Sequence, residues 1–290
     1  MCLIDFPHKF MKTILLHSSK IKSAKNLAMS VNGEIESKKN HYRIHTKMNF
    51  DIDNLRASNI EDLNIFDYDF DYKNIKLMVS DMDSTLISIE TIDEVAKEAG
   101  LSEEVSLITQ EAMLGHLDFK ESFKKRLSIL KGVSSSCFDE VYIKKIELNP
   151  GVKKLIDYFN SNHIKTALVS GGLTYFAEKI TNQLKIDSFK ANEAEIKDET
   201  ITGKVVGSLV DAEEKAKYIF ELCDKYKLDT KQVIAIGDGA NDIEMMKISG
   251  LSVAYYGKPI LRKNCAIQIN HSGLDCLIDF FEVDGINYKN

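Results

Sequence analysis

Asp81 and Asp83, one residue apart, close an apolar run that starts at Leu77, and two hydroxyls, Ser84 and Thr85, follow them. A buried strand seldom ends on paired acids, because a carboxylate withdrawn from water without a partner costs several kcal/mol. A divalent cation opposite them would remove that penalty, since it prefers hard oxygen ligands. For this motif alone, a polar strand-to-helix loop is the plainer alternative. Two further apolar runs end in comparable chemistry: Ile164–Val169 leads into Ser170-Gly171-Gly172, and Val233–Ile236 leads into Gly237-Asp238-Gly239-Ala240-Asn241-Asp242. One polar strand end is ordinary. Three that converge on one sheet edge make a site, because ligands of parallel sheets collect at the carboxyl ends of the strands.

Each part has a task if the ligand is a phosphate ester. Asp81, Asp83 and Asp238 would supply oxygens to Mg2+, which takes a few carboxylates and completes its shell with water and phosphate oxygens. Asp81, kept ionised by the metal, could attack phosphorus and form an aspartyl-phosphate. Asp83 could protonate the leaving alkoxide and then deprotonate the hydrolytic water. Ser170 and the N–H groups of Gly171 and Gly172, ahead of a helix, form an anion site that glycine lets a phosphate approach closely.

The elements that must hold these residues follow an α/β rhythm. After the Asp81 strand, Thr91-Ile92-Asp93-Glu94 has the pattern of a capping box, with Ile92, Val95, Ala96 and Ala99 on one helical face and Gly100 as the stop. A second helix carries Val105, Ile108 and Ala112 and stops at Gly115. A third, from Asp118, has the apolar seam Phe119, Phe123, Leu127 and Leu130. These helices read as a cap inserted at about 90–149, between two strands of a larger sheet. From Pro150 onward strands alternate with helices, with a β excursion over 191–210 that turns at Thr202-Gly203. The fold class is therefore a doubly wound, mostly parallel α/β sheet with helices on both faces.

Residues 1–72 are less legible. Strands at Thr13–His17 and His41–His45 and a helix over Ile21–Val31 suit a small α+β module, with 73–290 as the main unit. Asp67-Tyr68-Asp69-Phe70-Asp71-Tyr72 reads as a linker or docking segment. His17, His41 and His45 have no acidic or thiol neighbours in the sequence to make them ligands.

Several side chains stay ambiguous on spacing alone. Lys215 and Lys217 flank the same apolar face equally well. Arg126 falls on the edge of the third cap helix and could snorkel past its apolar neighbours or meet a ligand. Glu90 is a helix-start charge or a ligand group, and Met113 and Phe119 pack the cap or line a pocket.

Composition narrows the partners. Among 290 residues, 38 are basic and 44 acidic, a net charge of −6 that disfavours nucleic acid. No apolar run reaches the roughly 18 residues of a membrane span. The N-terminus is broken by charges too early for a signal peptide. Five scattered cysteines form no metal or redox spacing, as expected of reduced thiols in a cytoplasm.

Asp81-Met82-Asp83-Ser84-Thr85, Ser170-Gly171-Gly172, Lys215 and Gly237-Asp238-Gly239-Ala240-Asn241-Asp242 resemble the four motifs of the haloacid dehalogenase superfamily. Within it the chain resembles the phosphoserine phosphatases, through Glu90-Thr91-Ile92-Asp93-Glu94, Glu111-Ala112-Met113-Leu114-Gly115, Phe119 with Lys125-Arg126, and Gly257-Lys258-Pro259-Ile260-Leu261. That resemblance runs from about Lys76 to the C-terminus. It implies a cytoplasmic, Mg2+-dependent enzyme that hydrolyses phosphoserine in serine biosynthesis. Asp81 would be the nucleophile and Asp83 the acid/base. Asp81, the Asp83 carbonyl and Asp238 would hold the metal, with Asp242 nearby. Glu90 and Arg126 would take the amino and carboxylate groups, and Ser170, Gly171, Lys215 and Asn241 the phosphate. Leu173 stands where relatives often carry an aromatic residue, a packing change. Longer relatives carry an ACT-like domain ahead of the catalytic unit. For residues 1–72 this leaves open serine binding, homodimerisation or neither.

Overall fold

The computed structural model describes residues 12–67, 69–113 and 116–281. The N-terminal part follows the order β1 (Lys12–His17), α1 (Ile21–Ser30), β2 (Glu34–Ser37), β3 (Tyr42–Thr46), α2 (Ile52–Ala57) and β4 (Asp62–Phe66). Its four strands form an antiparallel sheet in the order β2-β3-β1-β4, a split βαβ arrangement. Strand alternation sorts the side chains. Ile14, Leu16, Ile44 and Leu63 pack against Ala24, Leu27 and Ala28 of α1, with Ile52 and Leu55 of α2 alongside. Asp51 caps α2 by accepting the Asp53 and Asn54 N–H groups.

The other face of this sheet is covered by the rest of the chain. Leu15 and Phe66 join the main core with Tyr72 and Phe280, and Tyr72 stacks on Phe66 at 5.0 Å between ring centroids. The 67–72 stretch thus packs as a docking segment through Tyr72; Tyr68 lies outside the described residues. Polar side chains complete the junction. Asp62 accepts the N–H groups of Asn270, His271 and Ser272 at 2.6, 3.1 and 2.7 Å. Asn64 donates to the Gln268 carbonyl at 3.0 Å and accepts the Gln268 N–H at 2.9 Å, replacing a neighbouring strand with a side-chain amide.

The histidines do have acidic partners, contrary to the sequence expectation. His17 and His41 place their Nδ1 atoms 3.2 and 3.3 Å from the Asp279 carboxylate, and His45 pairs with Glu36 at 3.2 Å. Burial alone would raise the Asp279 carboxyl, but hydrogen bonds and charge from both imidazoles outweigh it and hold it at about 2. Asp279 is more than 200 residues away in sequence, so no local pattern announces it.

The main body continues with β5 (Leu77–Ser80), α3 (Thr91–Glu98), α4 (Ser102–Met113), α5 (Phe119–Ile129), α6 (Ser136–Lys145), α7 (Val152–Ser161), β6 (Lys165–Leu173), α8 (Thr174–Leu184), β7 (Ser188–Lys197), β8 (Thr200–Val206), α9 (Ala212–Tyr226), β9 (Val233–Gly237), α10 (Ile243–Ile248), β10 (Leu251–Tyr255), α11 (Pro259–Arg262), β11 (Ile267–Ile269) and α12 (Ile278–Phe281). The seven strands lie in the order β11-β10-β9-β5-β6-β7-β8, all parallel except the β7–β8 pair. Because β5 is central and buried on both faces, Leu77, Met78 and Val79 run apolar without alternation, as in a doubly wound sheet, up to a buried Ser80. Separate apolar layers cover the two faces, one including Met78 and Leu168, the other Val79, Ala167 and Ile219.

Helices α3 to α6 intervene between β5 and β6 without breaking their pairing, which makes them an insertion above the sheet. The apolar seam of α5 forms as expected, with Phe123, Leu127 and Leu130 buried. Gly115, the expected stop of α4, and the Met113 side chain lie outside the described residues. Two boundaries differ from expectation. The β7–β8 hairpin turns at Asp198–Glu199, both with positive φ (48° and 57°), and Thr202-Gly203 lies inside β8. Such a two-residue turn matches strand twist. Strand β6 runs on through Ser170-Gly171-Gly172 to Leu173 with a register irregularity against β7, and Leu173 is buried in the core.

Removing the Asp62 carboxylate strands three backbone N–H groups in the junction. Asp62→Ala is therefore expected to lower unfolding stability by about 3 kcal/mol, read from the urea midpoint, whereas Lys247→Ala in an exposed pair should change it by less than about 0.5 kcal/mol. An unchanged midpoint in Asp62→Ala would contradict the junction described.

Candidate active site

The strand order brings the three polar strand ends together. β5 lies between β6 and β9 in parallel register, with Ser80 opposite Leu168 on one side and Ile236 on the other. Asp81 extends this ladder by donating its N–H to the Ile236 carbonyl at 2.9 Å. One oxygen each of Asp81, Asp238 and Asp242 lie within 4.8 Å of one another, all three residues buried.

Lys215 sits in the midst of these acids. Helix α9 begins at an Asp211 cap and carries Lys215 one turn in, facing the sheet. Its ammonium, fully buried, donates to Oδ1 of Asp81 and Oδ1 of Asp242, each at 2.7 Å. Burial alone would lower the Lys215 pKa, yet Asp242 and Asp81 outweigh it and hold the group above the ordinary lysine range. Lys217 instead reaches an exposed pair with Glu214 at 3.1 Å. The choice that periodicity left open thus falls to Lys215.

The acids are correspondingly perturbed. Asp81 is pushed well up, first by burial, against the pull of Lys215 and with the push of Asp242 and Asp238. Asp238 rises to about 7, through burial and then the charge of Asp242. Asp242 accepts the N–H groups of Asp238 and Gly239 on Oδ2, both at 3.0 Å, so it fixes the loop as well as Lys215.

Asp83 stands apart from this trio, and its carboxylate is not among the three that cluster. It is buried and pushed well up by burial, then by Glu90 and Asp81, with Thr91 opposing. The Thr91 hydroxyl donates to Oδ2 of Asp83 at 3.1 Å. The expected capping box does not form: the N-cap of α3 is Glu90, which makes no side-chain cap bond, and the hydroxyl of Thr91, the first helical residue, is used on Asp83. Asn149 pins the loop beyond, donating Nδ2 to the carbonyls of Thr85 and Ile87 at 2.9 and 3.1 Å.

At the β6 end, Ser170 is buried, and its Oγ accepts the Gly172 N–H at 2.8 Å. The Gly172 N–H is thus engaged within the loop. The Gly171 carbonyl accepts Nδ2 of Asn192 at 2.7 Å, and Oδ1 of Asn192 accepts the Val210 N–H at 2.7 Å. A side chain at Gly171 or Gly172 would have to displace a neighbouring side chain. A Cβ on Gly171 would lie 2.5 Å from the Phe119 ring of the cap, and one on Gly172 would lie 2.6 Å from Oδ2 of Asp83. Asn241 stands partly exposed on the short turn Ala240–Asp242.

The cap supplies the remaining candidates. Glu90 accepts the Ser84 hydroxyl at 2.8 Å. Arg126 pairs with Asp93 at 3.3 Å, and its Nε is buried without a hydrogen-bond partner among the described residues. The sequence does not single out Asn149 or Asn192, and Thr91 and Asp93 read there as part of a capping box and of a family-like stretch rather than as partners of Asp83 and Arg126. Their partners lie 8 to 65 residues away, beyond any helix or strand period.

These residues fit a divalent cation. The donors are hard carboxylate oxygens, closely grouped and out of water, and Lys215 neutralises only part of their charge. Asp81 and Asp238 would hold the ion by their side chains, leaving Asp83 to contribute through its backbone carbonyl.

The chain is similar to known proteins. The family model described as haloacid dehalogenase-like hydrolase matches residues 78–247. A phosphoserine phosphatase from Polaromonas sp. is 43% identical over 222 residues, covering 75% of this chain and 94% of that protein. The crystal structure of a probable phosphoserine phosphatase from Vibrio cholerae superposes with a TM-score of 0.80 at 31% identity, covering 94% of this chain and 86% of its own. A substrate-bound phosphoserine phosphatase complex superposes with a TM-score of 0.67 at 36% identity, over 71% of this chain and 98% of its own. The chain belongs to the haloacid dehalogenase-like hydrolases and, within them, to the phosphoserine phosphatase family.

Proposed function

We propose that this chain is a Mg2+-dependent phosphatase that converts O-phospho-L-serine to L-serine and inorganic phosphate, the last step of serine biosynthesis. The observation that carries the reading is the pairing of Asp81 with buried Lys215 beside Asp238, beneath a cap that presents Glu90 and Arg126. Ser170, Gly171, Lys215 and Asn241 bind the phosphate. Glu90 takes the substrate ammonium, and Arg126 its carboxylate, which a planar guanidinium can grip at two points.

Asp81 attacks phosphorus as the ester P–O bond breaks, and Asp83 gives its proton to the departing serine oxygen. Asp83 then takes a proton from water, whose oxygen displaces the Asp81 carboxylate from phosphorus. Asp81 and Asp238, with the Asp83 carbonyl, would hold Mg2+, which when bound would offset the charge that repels a carboxylate from a phosphate. Packing of Phe119 onto Gly171 closes the cap against the sheet and excludes water from the transfer.

Residues 1–72 act as a separate N-terminal module of ACT-like type, and 73–290 as the phosphatase unit with its cap at about 90–149. The separate antiparallel sheet supports that division. One face of the module is occupied by the phosphatase unit, and β2 forms its outer edge, the place where a second copy would pair in a homodimer. A cytoplasmic setting accords with the free cysteines Cys137, Cys223, Cys265 and Cys276. Among the described residues, no helix is long and apolar enough to cross a membrane.

Phosphate release from phosphoserine should vanish with chelator and return with Mg2+. Asp81→Asn should form no phosphoenzyme, and Arg126→Ala should lose about a hundredfold in kcat/KM on phosphoserine while changing little on phosphate esters without a carboxylate. Preference for another ester across a metabolite panel would overturn the substrate assignment.

Metal binding should also carry a pH signature. The folded pKa of Asp238, about 7, exceeds its unfolded value near 4, so the folded, metal-free protein binds the extra proton. Its contribution to stability is present below about pH 4 and is lost as pH rises through about 7. A divalent cation should therefore raise the melting temperature of the metal-free protein more at about pH 8 than at about pH 5.5. Equal shifts at the two pH values would remove Asp238 from the metal site.

A further inference from the structure

Asp83 has two chemically unequal oxygens. Oδ2 receives the Thr91 hydroxyl at 3.1 Å. The same oxygen lies against the backbone of Gly172, where a Cβ would come within 2.6 Å of it. Oδ1 is buried, with no hydrogen-bond partner among the described residues. A carboxylate held this way cannot turn its two oxygens freely, so the one left open is the one that meets a reacting group.

Thr91 is suited to fix that choice. It is fully buried as the first residue of α3, and its hydroxyl neither caps the helix nor bonds back to it. β-Branching leaves a helical threonine few side-chain rotamers, so its hydroxyl direction follows the helix. The neighbouring Glu90 reaches the Ser84 hydroxyl at 2.8 Å. The first turn of the cap therefore grips the loop that carries Asp83 at two points.

We infer that Thr91 is a positioning residue for proton transfer, pinning Oδ2 of Asp83 so that Oδ1 is the atom that gives and takes the proton. In the first half-reaction the Oδ1 proton goes to the departing alkoxide as its P–O bond breaks and the bond from Asp81 to phosphorus forms. In the second, Oδ1 recovers a proton from water as the water oxygen bonds to phosphorus and the Asp81–phosphorus linkage breaks. The inference rests on the proposed phosphatase chemistry and adds to it a dependence on cap position: Asp83 is aligned only where α3 sits against it.

The test uses donors that differ in their need for acid. An alkoxide leaving group requires the proton, whereas the acetate released from acetyl phosphate does not. Rapid-quench measurement of Asp81 phosphorylation in the full chain with Mg2+ should show Thr91→Val slowed at least about tenfold with phosphoserine and less than about threefold with acetyl phosphate. Thr91→Ser, which keeps the hydroxyl, should recover most of the phosphoserine rate. Should Thr91→Val fail to fold, Thr91→Ala carries the same contrast. Equal losses on both donors, or an undiminished phosphoserine rate, would overturn the assignment. A wild-type chain inactive on phosphoserine but active on another alkyl phosphate would overturn only the substrate reading, and the Thr91 contrast is then read on that ester. An enzyme that hydrolyses no alkyl phosphate overturns both.

Discussion

The structure depends on one ammonium placed among acids. Asp81, Asp238 and Asp242 crowd a buried strand edge, where like charges repel strongly and water cannot screen them. Lys215 bridges two of the three at 2.7 Å, and Asp242 spends its other oxygen on two backbone N–H groups. The cluster is thus structurally tied yet still net acidic. That residual negative charge suits a divalent cation, and in the proposed function the ammonium would also offset charge on a transferring phosphoryl group. Removing the lysine would not simply delete a ligand group; it would leave Asp81 and Asp242 unpaired against each other.

The sheet order makes this arrangement economical. Only a central strand can place its end between two other strand ends, and β5 occupies that place between β6 and β9. Short loops at each end then converge without long reaches, while the inserted helices rise from the same edge. Asn192 extends the logic to the backbone. One amide holds the Gly171 carbonyl and the Val210 N–H, so the Ser170-Gly171-Gly172 segment and the start of α9, which carries Lys215, are kept in register with each other.

Much of this was legible in the sequence because the chemistry lies at strand ends. Asp81, Ser170 and Asp238 follow apolar runs whose period and length already specify buried strands, and the alternation with helices specifies a parallel sheet. What stayed hidden depends on contacts at long range or on one of two equivalent faces. Lys215 and Lys217 differ by two positions on a helix whose apolar stripe borders both, so only packing could separate them. Thr91 reads as a capping residue because the local pattern is satisfied by that role; its true partner, Asp83, lies on another element. Thr202-Gly203 reads as a turn because glycine usually marks one, yet the chain turns at Asp198–Glu199 through two non-glycine residues of positive φ. The pairing of His17 and His41 with Asp279 spans nearly the whole described chain.

The first turn of α3 joins recognition to chemistry. In the proposed function Glu90 would take the substrate ammonium, while Thr91, the next residue, donates its hydroxyl to the Asp83 carboxylate. Arg126 on α5 is tied back to α3 through Asp93 at 3.3 Å. On that reading, a ligand that engages Glu90 and Arg126 would bear on the same helix that contacts Asp83. Binding energy from the amino and carboxylate ends of a substrate can thus be expressed in proton transfer at the phosphate end, which is how remote contacts raise a rate rather than only an affinity. A cap built from rigid helices, with both functions on adjacent residues, needs no separate signal between them.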